Sequence, residues 1–103
     1  MKIELLYFDG CPSWQVGLEN LNSALQANGL DMPVERVQVL DDDDAAQKKF
    51  LGSPSFRING VELWDEQRDV YSLSCRVYAT PEGMRGSPTV SMLQGEIRRM
   101  INE

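Results

Sequence analysis

A chain of 103 residues has room for one domain and one hydrophobic core, since a domain of this size buries roughly two-thirds of the surface its unfolded chain exposes. Its 42% hydrophobic and 25% charged content is that of an ordinary globular protein, and no apolar run approaches the ~20 residues of a bilayer-spanning helix. A net charge of −6 opposes binding to nucleic acid or anionic lipid, and the lack of histidine removes Ser-His-Asp and Cys-His catalysis along with the commonest metal ligand.

Ile3, Leu5 and Tyr7 alternate with Glu4 and Leu6, and the nearly continuous apolar run through Phe8 predicts a central strand buried on both faces. The opening residues are too acidic, and their apolar part too short, for a signal peptide, so a cytoplasmic location is expected. After Gly10-Cys11-Pro12, the positions Trp14, Leu18, Leu21 and Leu25 follow helical steps and predict an amphipathic helix over 13–28, stopped by Gly29. Pro12 suits the first helical position, which makes Cys11 the expected N-cap. A cysteine at a helix N-terminus faces unpaired N–H groups and the positive end of the macrodipole, conditions that favour a nucleophilic thiolate.

Val34, Val37, Val39 and Leu40 predict a second strand and so a β-α-β unit. Asp41 to Asp44 followed by Lys48 and Lys49 has the charge order of a short helix, with Gly52 as its expected end and the acids as a solvated helix start rather than a cation site. Phe56, Ile58, Asn59-Gly60 and Val61-Glu62-Leu63 read as an antiparallel hairpin. Residues 64–87 have no clean period and read as a long, partly ordered loop that carries Cys75, with Val77 and Tyr78 able to pin it to the core. Ser87 is the expected cap of a last helix from Pro88, whose stripe is Val90, Leu93, Ile97, Met100 and Ile101. Of Met84, Met92 and Met100, two are expected to pack in a helix and one to lie on a loop surface.

This β-α-β-α-β-β-α order, with a cysteine beyond the first strand and a proline opening the hairpin, resembles the thioredoxin fold over nearly the whole chain. The resemblance implies a single α/β domain over 1–103: a central mixed sheet of about four strands, about three flanking helices and a long loop before the last one. In that family the motif is Cys-x-x-Cys. Here Cys11-Pro12-Ser13-Trp14 keeps the first cysteine and has tryptophan in place of the second. Gly52-Ser53-Pro54-Ser55-Phe56 resembles the segment whose proline is cis and whose preceding backbone faces the active cysteine and pairs with substrate, which makes Ser53 and Pro54 candidate substrate-binding residues. Tyr7 to Pro12, Gly52-Ser53-Pro54 and Ser74-Cys75-Arg76-Val77-Tyr78 together resemble small bacterial thioredoxin-like proteins, some labelled as related to alkylmercury lyase. True lyases of that kind use two cysteines and a carboxylate, for which Cys11, Cys75 and Asp9 are the candidates.

Cys11 is thus the candidate nucleophile, and Cys75 the candidate to resolve a sulfenic acid or mixed disulfide on it, with the adjacent Arg76 favouring an acidic thiol. Trp14 belongs by spacing to the apolar stripe and is also a candidate to shield the thiol and line the substrate site. The function expected is thiol-disulfide oxidoreduction or peroxide-type chemistry on a small-molecule or protein thiol or disulfide, with no resident cofactor or metal and with glutathione as a candidate reductant. A non-catalytic protein-binding module and capture of a mercury-like soft metal by the two thiols stand as alternatives.

Overall fold

The structure, a computed structural model, describes residues 1–102 and is a three-layer α/β arrangement. Strand β1 (Ile3–Tyr7) leads into helix α1 (Trp14–Ala27), strand β2 (Glu35–Gln38) and helix α2 (Asp42–Lys48). Strands β3 (Ser55–Ile58) and β4 (Val61–Glu62) form the first hairpin, β5 (Tyr78–Thr80) and β6 (Gly83–Arg85) a second, and helix α3 (Val90–Ile101) follows. The four-stranded sheet runs β2-β1-β3-β4, with β1 parallel to β2 and antiparallel to β3, so the expected mixed sheet with three helices and a central first strand is present.

The period of two along β1 decides which side each residue serves. Ile3 and Leu5 join Leu21, Leu25, Phe56, Ile58, Leu93 and Ile97 in a core beneath α1 and α3, while Leu6 joins Val39, Ala45 and Phe50 on the α2 side. Each large side chain so buried contributes about 1.5–3 kcal/mol relative to its exposure to water, and the two clusters together clamp the sheet. Met92 and Met100 pack against the first cluster and Met84 is exposed, as their spacing implied.

Several boundaries differ from the sequence expectation for local reasons. Cys11 is not an N-cap: the first i to i+4 bond of α1 runs from the Gly17 N–H to the Ser13 carbonyl, so Ser13 is the cap residue and Cys11 lies in the turn before it. The Cys11 N–H donates instead to the Phe8 carbonyl, closing a turn that holds Cys11 outside the helix. Helix α3 is capped by Thr89, whose hydroxyl accepts from the Met92 N–H at 3.1 Å, and the Pro88 carbonyl just before it accepts from the Asn20 side chain at 2.9 Å. Helix α2 ends at Lys49, in the left-handed region at φ 53°, which releases Phe50 and Leu51 to be buried. The acids act as expected of a helix start. The Asp41 side chain caps the Asp44 N–H, and the Asp44 carboxyl pairs with Lys48 and is held below its ordinary range by that contact first.

Gly52 therefore does not close α2. At φ +119° it lets another segment come close, for a Cβ there would lie 3.1 Å from the Arg76 backbone nitrogen. The supposed loop over 64–87 contains the β5–β6 hairpin around Gly83, whose strands of three residues are too short to give a period. Gly17 performs a similar service inside α1, where a Cβ would meet the Pro54 ring at 2.9 Å.

Two helix-interior glycines should respond oppositely to alanine. Gly95→Ala, with open space around its Cβ, should stabilise the protein by about 0.5–1 kcal/mol. Gly17→Ala should instead destabilise it, by about 1 kcal/mol or more net of helix propensity, because the added methyl presses on Pro54. Urea-unfolding midpoints of the two variants check both signs.

Candidate functional site

Cys11, Ser53, Pro54 and Cys75 come together although they derive from three separate segments. The turn after β1 is closed by a hydrogen bond from the Cys11 N–H to the Phe8 carbonyl at 3.1 Å, which directs the Cys11 side chain inward to only 3% exposure. Its Sγ donates to the Ser53 carbonyl at 3.3 Å. Ser53 is fully buried, and the Ser53–Pro54 peptide bond is cis.

The Cys75 segment lies alongside. Ser53 and Cys75 form an isolated parallel bridge, in which the Ser53 N–H donates to the Ser74 carbonyl at 2.8 Å and the Arg76 N–H donates to the Ser53 carbonyl at 3.0 Å. The Ser53 carbonyl thus accepts from both the Arg76 backbone and the Cys11 thiol, which uses both of its lone pairs. Cys75 is exposed where Cys11 is buried, and both are free thiols.

Cys11 bears on the ionisation of Cys75. The Cys75 thiol is pushed above its ordinary value, first by loss of solvation over the protein surface, then by charge on Cys11 and by a hydrogen bond with the Cys11 side chain. This reverses the expectation that Arg76 acidifies Cys75. The Arg76 guanidinium is turned inward, donating to the Trp64 carbonyl and lying 5.1 Å from the centre of the Tyr78 ring. Arg76 is an anchor for the segment and not a partner of the thiol.

Tyr78 is the second anchor, and sequence reasoning gave it no more than a place in the core. Its hydroxyl donates to the Pro54 carbonyl at 2.5 Å, and burial raises its ionisation well above the usual tyrosine range. The signal for both anchors was the alternation in 75–78, where Cys75 and Val77 face out while Arg76 and Tyr78 face in. A third tie is the Asp42 carboxylate, which accepts from the Leu73 N–H at 3.0 Å.

Trp14 serves the core side of its two expected roles: half-buried, it stacks on Tyr7 with ring centres 4.2 Å apart and packs against the first cluster. Asp9 is exposed and its carboxylate accepts from the Gln38 side chain at 2.9 Å. A groove of about 710 Å³ runs along β4 past Lys48, Arg57, Glu62 and Tyr71, and neither cysteine lines it. Glu62 on its wall pairs with Arg57 at 3.2 Å, yet burial keeps its carboxyl above the usual range. Among the described residues no group of three or more His, Cys, Asp or Glu side chains is arranged to hold a metal ion, and no helix is long and apolar enough to cross a membrane.

The chain matches no protein-family model, and neither a curated protein nor a solved structure matches it.

Two outcomes follow from these contacts. In Cys11→Ser the charge that opposes Cys75 ionisation is gone, so the pH midpoint for Cys75 alkylation should fall relative to wild type, measured by peptide mass spectrometry across pH. Tyr78→Phe leaves the buried Pro54 carbonyl without its donor and should cost about 1–3 kcal/mol in urea unfolding.

Proposed function

We propose that this chain is a thioredoxin-like thiol–disulfide oxidoreductase whose working couple is Cys11 and Cys75. The observation that carries the reading is the convergence of both cysteines on Ser53: the Cys11 thiol donates to its carbonyl at 3.3 Å, and Cys75 is bridged to the same residue. A dithiol so arranged has the juxtaposition that the missing cysteine of a Cys-x-x-Cys motif would otherwise supply. The sheet order β2-β1-β3-β4, with one cysteine beyond β1 and Ser53-Pro54 just before β3, supports the same reading.

The chemistry balances within the pair. One thiolate attacks a sulfur of a substrate disulfide and expels the first thiolate. The second cysteine then attacks the mixed disulfide and expels the other. The substrate gains two electrons and two protons and leaves as two thiols, while the protein is left with a Cys11–Cys75 disulfide. Two equivalents of an external thiol of the glutathione class regenerate the dithiol in a reducing compartment such as the cytoplasm and leave as their own disulfide.

Equilibration across a series of reduced and oxidised glutathione ratios, followed by acid quenching and intact mass, tests this. Wild type should pass from dithiol to internal disulfide in one two-electron transition, and Cys11→Ser and Cys75→Ser should each fail to form the internal disulfide. A wild-type protein that retains two alkylatable thiols at every ratio would overturn the reading.

A further inference from the structure

The segment from Cys75 to Thr80 is extended, and its alternation sorts side chains by consequence. Arg76, at 7% exposure, and Tyr78 point into the protein, whereas Cys75, Val77 at 57% and Ala79 point out. Across the hairpin Ala79 pairs with Met84, itself 61% exposed. Cys75 is therefore the first position of an exposed apolar strip that continues through Val77, Ala79 and Met84. The Arg76 guanidinium is turned inward toward Trp64 and Tyr78, and the exposed Arg85 donates through one nitrogen to the Met84 carbonyl.

Access and charge point the same way. Displacement at sulfur needs the attacking sulfur in line with the S–S bond, an approach closed at 3% exposure for Cys11 and open for Cys75. The protein carries a net charge of −6, which works against disulfides bearing several carboxylates.

We propose that an incoming disulfide is met by Cys75, not Cys11, that it docks on the Val77-Ala79-Met84 strip as a disulfide flanked by uncharged apolar groups, and that Cys11 resolves it from beneath. This rests on the dithiol reading above and assigns an order to it. The Cys75 thiol loses its proton to solvent, its sulfur attacks, and the first thiolate leaves. That thiolate takes the proton from Cys11. Cys11 then attacks the Cys75 sulfur, forming the internal disulfide and expelling the second thiolate, which solvent protonates.

The test uses 4,4′-dithiodipyridine as the uncharged apolar probe and glutathione disulfide as the anionic one, each rate divided by that of the same variant unfolded in urea. Cys11→Ser should accumulate a mixed disulfide on Cys75 about 10-fold or more faster than Cys75→Ser accumulates one on Cys11. The normalised rate should be higher for the uncharged probe, and Val77→Asp or Met84→Asp, both at exposed positions, should lower it several-fold. Acid-quenched wild type, mapped by peptide mass spectrometry, should carry the transient adduct on Cys75, a readout that requires no substitution at the buried cysteine. An adduct on Cys11, or equal normalised rates for the two probes, would overturn the assignment while leaving the dithiol couple intact. Wild type that never closes the internal disulfide would remove both.

Discussion

The arrangement of this protein turns on the backbone of one buried residue. Ser53 has no solvent exposure, and its N–H and carbonyl together engage Ser74, Arg76 and the Cys11 thiol. A buried peptide group left without partners costs about 1–3 kcal/mol, so the Cys75 segment is held against Ser53 by more than its own packing. The remaining contacts maintain that joint. Gly52 clears the approach of Arg76, Tyr78 satisfies the next carbonyl along, and Gly17 lets α1 settle on the Pro54 ring. None of these contacts is local in sequence, and all serve one place.

The two sulfurs divide what a reactive cysteine ordinarily combines. Cys75 has access to solvent but holds its proton more tightly than an isolated thiol, and Cys11 has a built environment but almost no access. Neither combines access with a built environment, which is why the proposed function rests on the pair and not on one residue. Arg76 shows how a sequence neighbour can mislead. An arginine beside a cysteine suggests an electrostatic partner, yet successive side chains of an extended segment point to opposite faces, so its charge is spent in the interior.

The legible parts of the chain were those with period or punctuation. The alternation of Ile3, Leu5 and Tyr7, the helical spacing of Leu18, Leu21 and Leu25, and Asn59-Gly60 each encode an element locally, and all three elements are present. The meeting of Cys11 with Cys75 had no local signature, because it depends on a single bridge formed across the fold. Element ends were less legible where a side chain from elsewhere claimed a backbone group. At the start of α3 the Asn20 side chain donates to the Pro88 carbonyl, and the cap is Thr89, not Ser87. Pattern reading sees neither the distant asparagine nor the thiol waiting for a partner.

The two margins of the main sheet have a consequence of their own. Strand β2 at one edge carries Glu35 and Arg36 in the open, and β4 at the other is only two residues long. Charged or very short margins are poor templates for adding a further strand, so the sheet is guarded against open-ended stacking and the fibrous association that follows from it. Such a protein can display an oily strip next to an exposed thiol with less risk of self-aggregation through its backbone.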